Sequence, residues 1–365
     1  GSLGSQGMWG LPGQGSSGEQ VYVNAATGNL VVQRRDDFLA SRGVDTQAVR
    51  TYNSLGQLND DNADNWALGV YAQQLVLNGT LNAVDSTLTR TGRDGSVAIY
   101  NWDGTRGCYV STAGDDAYDT ISCVAGEYLR VDGASRVVEK YTATGQNGAL
   151  RLASVTDTDG NTSKYSYTSA GLLGTVEDAS GEFTTYTYDQ NNAGTKLQSI
   201  TTRNAAGTTT RSSVSYEYNA KGWLSKVKVD LTPDNVSDAV VYTTSYTYYD
   251  DDNRLIKTLT QDDGTALTFT YAADKRVETI TDALGAQTKY TYGANSTTIT
   301  DALKRDWVYE YDGAGQLTRL SSPAVGGGTS IVQSYAYDER GNVTSITNGD
   351  GETVTMAYEA NGNQT

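Results

Sequence analysis

The side chains able to do chemistry in this sequence are mostly acids without the usual partners. Histidine is absent from the 365 residues, which removes Ser-His-Asp and Cys-His nucleophilic mechanisms and every His-ligated metal site. Neighbouring carboxylates occur at Asp60/Asp61 and at Asp250/Asp251/Asp252, and acid/base hydrolysis needs two carboxyls a few ångströms apart. Adjacent acids on a loop are ordinarily just solvated. Asp157-Thr158-Asp159-Gly160-Asn161 carries part of a calcium loop, but the remaining ligand spacing is missing and the same residues fit a turn. Gly326-Gly327-Gly328 follows Pro323 with no Lys-Ser or Lys-Thr behind it, so it reads as a loop and not a phosphate cradle. No catalytic residue, cofactor or metal site is expected.

The two cysteines carry a separate signal. Cys108 and Cys123 flank a Gly-Asp-Asp turn whose midpoint falls between Asp115 and Asp116. In a symmetric hairpin the thiols would stand opposite each other, where disulfide geometry is within reach, and an oxidised pair implies export. The alternative is two buried free thiols. A zinc site would leave most of its shell unfilled.

The elements that must position these residues are repeated. Aromatic-x-Tyr pairs recur at Tyr165/Tyr167, Tyr186/Tyr188, Tyr216/Tyr218, Tyr246/Tyr248, Phe269/Tyr271, Tyr290/Tyr292, Tyr309/Tyr311 and Tyr335/Tyr337, and Met356/Tyr358 opens a further copy. They recur roughly every 20 residues, more widely where loops have grown, and such a period marks a repeat architecture. A turn with Gly or Asn follows each pair, then a short run with apolar residues three apart, as at Leu197/Ile200, Leu224/Val227, Val277/Ile280 and Val343/Ile346. A second turn closes the unit.

The runs are rich in Thr, Tyr, Val and Ile, which suit a pleated, half-buried surface, and they are too short for helices. Each unit is expected to be a strand, a turn, a strand and a turn. The spacing of three implies either two partly apolar sheet faces or a bulge. Asp312 and Gly315, Asp338 and Gly341, and Asp350 and Gly351 are the expected turn residues, Gly supplying positive φ and Asp accepting from the turn backbone. One such hairpin is marginal in water, so neighbours must stack. The expected fold is all-β: tandem hairpins in one long, curved antiparallel sheet. The Tyr series, repeated at every rung, reads as sheet packing, although the same rings could stack on sugars or peptides.

With 43 acidic and 27 basic residues the net charge is −16, a surface that repels phosphate backbones. Nucleic acid is excluded as a partner. No apolar run is long enough to span a bilayer.

The units "YEYDGAGQLTRL" (309–320) and "YAYDERGNVTSITNGDGETVT" (335–355) resemble the Tyr-Asp repeats of the Rhs/YD-repeat family. "VNAATGNLVVQ" (23–33), "RTYNS" (50–54), "DGSVAIY" (94–100) and "LASVTDTDGNTSKYSY" (152–167) are similar to the opening region of that family, so the resemblance covers roughly 21–365. Tyr167, Tyr271 and Tyr292 depart from the pattern, being followed by Thr168, Ala272 and Gly293 and not by Asp.

The resemblance implies a sheet that spirals into a hollow shell or cocoon, as in bacterial polymorphic toxins, toxin-complex subunits and teneurins. In the toxins that shell holds a C-terminal effector. The family's Asp-Pro-x-Gly autocleavage core is absent and the chain stops at Asn363-Gln364-Thr365, so a fragment of a larger exported or cell-surface polypeptide is expected. Three parts are expected: a flexible Gly/Ser-rich segment at 1–20, an opening β region at 21–150, and a repeat sheet at 151–365. The expected function is a non-catalytic part of a shell around a C-terminal toxin. The alternatives are an extracellular adhesin or scaffold for a protein or glycan partner and, more remotely, a carboxylate hydrolase.

Overall fold

Strands in this chain alternate in burial with a period of two, as in Glu127–Val131 and Val138–Ala143, where every second side chain is buried, because successive residues of a pleated strand point to opposite faces. The computed structural model describes residues 19–56, 64–68, 73–91, 97–111, 118–143, 150–189, 196–235, 237–324, 330–359 and 364–365. Asp60/Asp61, Asp115/Asp116, Gly326 to Gly328 and residues 1–18 lie outside them. Among the described residues there are strands β1 to β29 and no helix. β1 (Gln20–Val23), β2 (Leu30–Leu39), β3 (Thr46–Asn53) and β4 (Trp66–Leu68) pair in sequence order, and so do the 25 strands from β5 (Gln74–Asn78) to β29 (Thr353–Thr355). The fold is the all-β, long antiparallel sheet expected from the repeats.

The chain divides into two compact units, one of Gln33–Tyr52 and Leu58–Ser245, the other of Gly4–Val32, Asn53–Gln57 and Tyr246–Thr365. In the first unit the strands that follow β5 are β6 (Thr87–Thr91), β7 (Val97–Asp103), β8 (Cys108–Val110), β9 (Thr120–Val124), β10 (Glu127–Val131), β11 (Val138–Ala143) and β12 (Leu150–Thr156). β12 pairs back onto β5 through Leu150 opposite Leu75 and Arg151 opposite Gln74, which closes β5 to β12 into a barrel. Its lumen is filled by Leu75, Leu88, Tyr100, Tyr109, Ile121, Tyr141 and Leu152, all essentially inaccessible, as expected for a small barrel whose interior holds side chains and no channel. The other half of β12, Ser154 to Thr156, pairs with β13 (Thr162–Tyr167). β12 is therefore a fork between barrel and sheet.

From β13 onward the first unit continues with β14 (Leu173–Glu177), β15 (Phe183–Tyr188), β16 (Leu197–Arg203), β17 (Thr210–Tyr218) and β18 (Leu224–Asp230). The second unit includes β20 (Ile256–Gln261), β21 (Ala266–Tyr271), β22 (Val277–Asp282), β23 (Gln287–Tyr292), β24 (Ser296–Thr300), β25 (Asp306–Tyr311), β26 (Leu317–Ser321), β27 (Val332–Tyr337), β28 (Val343–Thr347) and β29. Here the spacing of three is resolved as a bulge. Ser166 faces Thr175 but Tyr167 faces Leu173, leaving Gly174 as the extra residue; the same shift occurs before Tyr188, Tyr218, Tyr271, Tyr311 and Tyr337. An inserted residue turns i and i+3 to one face. Leu173 and Val176, Leu197 and Ile200, and Leu224 and Val227 are accordingly buried together.

Two expected turns hold as read. Asp312 Oδ1 accepts the N–H groups of Ala314 and Gln316 at 2.9 Å, and Asp338 Oδ1 those of Arg340 and Asn342 at 2.9 Å; Gly315 and Gly341 have φ of 80° and 87°. The third turn corrects the expectation. Asn348, not Asp350, is the acceptor, taking the N–H of Asp350 at 3.1 Å and of Glu352 at 2.9 Å, because the cap must precede the positive-φ Gly351 by three residues.

Candidate functional site: tyrosine closures and buried ionic anchors

The bulge determines what the second tyrosine of each pair does. β14 begins pairing with β15 only at Thr175, two residues after Leu173, whose carbonyl is left without a ladder partner on that side. The Tyr188 hydroxyl donates to that carbonyl at 2.7 Å. The arrangement recurs in the first unit with Tyr167 on Leu152 at 2.7 Å and Tyr218 on Leu197 at 2.8 Å. The second unit repeats it with Tyr271 on Ile256, Tyr292 on Val277, Tyr337 on Leu317 and Tyr358 on Val343, at 2.9, 2.6, 2.7 and 2.7 Å. A buried carbonyl left unpaired is costly. Tyr is thus required where Phe would fill the same space.

Tyr311 breaks the rule. The carbonyl of Ser296, the first residue of β24, is already taken by the N–H of Gly293 at 2.7 Å, and the buried Tyr311 hydroxyl has no hydrogen-bond partner. The first members of the pairs are core residues: Tyr186, Tyr216, Tyr246, Phe269, Tyr290 and Tyr309 are buried, whereas Tyr165, Tyr248 and Tyr335 are half-buried. Burial pushes the phenols upward, Tyr309 to about 12, with Tyr290 and Tyr292 shifted in the same direction. A raised phenol pKa means that the stability is whole below pH 10 and is lost as the pH climbs through the folded value. Absorbance titration at 295 nm is expected to show a late tyrosine class that ionises together with loss of the sheet's circular dichroism; a single class near pH 10 would contradict it.

Sequence reasoning missed the buried acids and arginines. In the first unit, β2 and β3 lie against β15 to β17. Arg50, 2% exposed, donates to Asp36 from Nε at 2.8 Å and Nη2 at 3.1 Å, and its guanidinium lies 4.9 Å from the Trp66 ring centroid. Tyr216 donates to the same carboxylate at 2.8 Å. Asp37 accepts from Thr202 at 2.7 Å, Thr184 at 3.2 Å and Ser212, one hydroxyl from each of three adjacent strands. In the second unit Tyr246 donates to buried Glu19, and Gly28 lies so close to Arg276 that an added Cβ would fall 2.5 Å from that side chain. Glu19 and Gln20, placed by sequence in the Gly/Ser-rich segment, are respectively buried and the start of β1.

The barrel holds an ionic layer. Glu139 of β11 lies between Arg90 of β6, which binds it at 2.9 and 3.1 Å, and its cross-strand neighbour Arg130 of β10, at 3.1 Å. Arg130 also pairs with Asp119, which accepts from Tyr100 at 3.0 Å and from the Gly133 N–H at 2.7 Å. Tyr141 donates to Glu139 at 2.6 Å. Burial opposes the Glu139 charge, but Arg90 and Arg130 hold its carboxyl below the usual range. One signal was available: Arg90, Arg130 and Glu139 each sit two residues from a buried apolar or aromatic side chain, on the inward face of a strand.

The expected Cys108–Cys123 pairing is not formed, and both thiols are free. Tyr109 faces Ile121 and Val110 faces Thr120, so the register is one residue off the symmetric hairpin and sends the two thiols to opposite faces. Intact-mass analysis after alkylation in denaturant, without reductant, is expected to show two modified cysteines; none would restore the disulfide.

Asp157 is a turn cap, accepting the N–H groups of Asp159 and Asn161 at 2.9 and 2.8 Å, and Asp250 to Asp252 are exposed. Among the described residues no group of three acids or cysteines could hold a metal. A crevice of about 510 Å³ on the outer face between β11 and β14 is lined by Lys140, Ser154, Lys164 and Glu177, with Lys164 already paired to Glu177 at 3.2 Å and Lys140 to Glu127. These groups hold strands together.

Residues 337–365, from one closing tyrosine through the next at Tyr358, match the RHS Repeat family model. The chain carries RHS repeats. Among solved structures it is similar to TcdB2-TccC3-Cdc42, at 15% identity over 90% of this chain and 19% of that one, TM-score 0.41. It is similar also to the Photorhabdus luminescens Tc holotoxin pore, at 11% identity over 93% and 23%, TM-score 0.35. A third is the N-terminal domain of effector protein SpvB from Salmonella typhimurium, at 13% identity over 77% and 98%, TM-score 0.22. This chain spans about a fifth of the length of the first two chains. No curated protein matches it. The RHS rung, in this chain, is a bulged hairpin closed by a tyrosine hydroxyl, and the segment is structural.

Proposed function

We propose that this segment is wall: part of an exported β-shell that encloses a C-terminal toxin or effector of the same polypeptide. The observation that carries the reading is the repeated closure of the RHS rung, in which the polar group exposed by each bulge is satisfied within the sheet. A wall needs that property, since a carbonyl left open at each rung would admit water or a competing strand. Its buried acids are engaged in holding strands, and the wall works by exclusion, with no reactive centre. The RHS match supports the same assignment.

The test is limited proteolysis with intact mass analysis of the complete natural polypeptide, native and then denatured. The expected result is a C-terminal piece that stays protected until denaturation. Free digestion of that region in the native protein would overturn enclosure and leave an exposed scaffold.

A further inference from the structure

The barrel seam is its weakest junction. β12 and β5 share two register pairs, Leu150 with Leu75 and Arg151 with Gln74, against five between β5 and β6 and five between β6 and β7. Beside the seam, Leu75 faces Arg90 across β5 and β6, and Gln73, immediately before β5, donates to Glu139 at 3.4 Å. The Arg151 guanidinium reaches Gln74 at 3.1 Å. The ionic layer thus ties β6, β10 and β11 to the strand that closes the ring.

We propose that Glu139 is a clasp: its carboxylate, shared by Arg90 and Arg130, holds the β5–β12 seam shut, and loss of its charge opens the barrel at that seam while the sheet beyond β13 stays folded.

Each neighbour has a defined part. Facing Glu139 are Arg90 from β6, Tyr100 from β7, Tyr109 from β8, Asp119 ahead of β9, Arg130 from β10 with Asp132 beyond it, and Tyr141 on its own strand; Arg151 of β12 stands at the seam. Burial pushes the Asp119 carboxyl up, so its protonation favours the folded form and it is not the trigger. Glu139 has the opposite sign. Its depressed pKa makes its contribution present above the ordinary glutamate range and lost only as the pH falls through the lower folded value. Arg90, whose side chain is 12% exposed, then keeps its charge without a carboxylate, and a buried charge left alone is strongly unfavourable.

Hydrogen exchange with mass spectrometry on the whole chain tests this. Glu139→Gln at pH 7.5 is expected to speed exchange in residues 74–78 and 150–152 at least tenfold, with 212–218 unchanged. Wild type should hold the seam at pH 5 and release it below pH 4, compared at equal intrinsic exchange rate. The paired variant Arg90→Met/Glu139→Leu, which removes both charges, should keep a slow seam that no longer responds to acid. Three outcomes overturn the proposal: unchanged seam exchange in Glu139→Gln, equal acceleration in 212–218, or acid opening that persists in the paired variant.

Discussion

Arg50→Met is expected to destabilise the first unit by about 3–5 kcal/mol, the range for breaking a buried ion pair from one side. The reasoning starts from what remains. Asp36, 8% exposed, keeps the Tyr216 hydroxyl and the guanidinium of Arg34, whose Nε is 3.9 Å away. That distance gives Coulomb attraction without a hydrogen bond. The lost group made two short hydrogen bonds and packed on Trp66, so charge, donors and ring contact disappear together. Burial followed by the Asp36 charge already raises the Tyr216 phenol far above its usual range, so Tyr216 cannot become a compensating ion. Replacing both partners, Arg50→Met with Asp36→Leu, should recover most of the loss, because an apolar pair of similar size leaves no buried charge. Local opening free energies from hydrogen exchange in β15 to β17 are the measurement, since an array of this length need not unfold in one step. A double variant no better than Arg50→Met would show that the pair acts through shape and not through charge.

The legible part of the fold was what repeats. Tyr-x-Tyr, the Gly turns and the apolar spacing of three each recur often enough that one physical reading had to fit all copies, and it gave strands and hairpins in the right places. The bulge could be stated only as one of two options, because a spacing of three does not say where the extra residue sits. The barrel was not legible: its closing contact joins Leu75 to Leu150 across a long stretch of chain, and nothing local marks either residue. The ionic anchors escaped for another reason. Asp36 and Asp37 look like solvated charge on a polar strand, and only the strands laid beneath them, carrying Tyr216, Thr184, Thr202 and Ser212, make them buried. Cys108 and Cys123 show how narrow the margin is, since symmetry placed the hairpin correctly and a single residue of register reversed the thiols' relation.

The tyrosine closures give the second large effect through addition. Tyr271→Phe, Tyr292→Phe and Tyr337→Phe each keep the ring and remove the proton offered to Ile256, Val277 or Leu317, leaving a carbonyl unpaired at about 1–2 kcal/mol each. The three sites sit on separate rungs with separate acceptors. Their effects should therefore sum, to about 3–6 kcal/mol in the triple variant. Tyr311→Phe is the internal control: the same substitution, at the same place in the rung, removes a buried hydroxyl that bonds to nothing, and it should be neutral or slightly stabilising. Urea midpoints of the four variants, followed by hydrogen exchange across β20 to β28, separate the possibilities. If Tyr311→Phe costs as much as Tyr292→Phe, the hydroxyls matter for something other than the carbonyls they reach, and the bulge no longer explains why the rung ends in tyrosine. If the control is silent and the triple loss adds, the sequence motif reduces to one requirement: each bulge leaves an acceptor, and the next strand must bring it a donor.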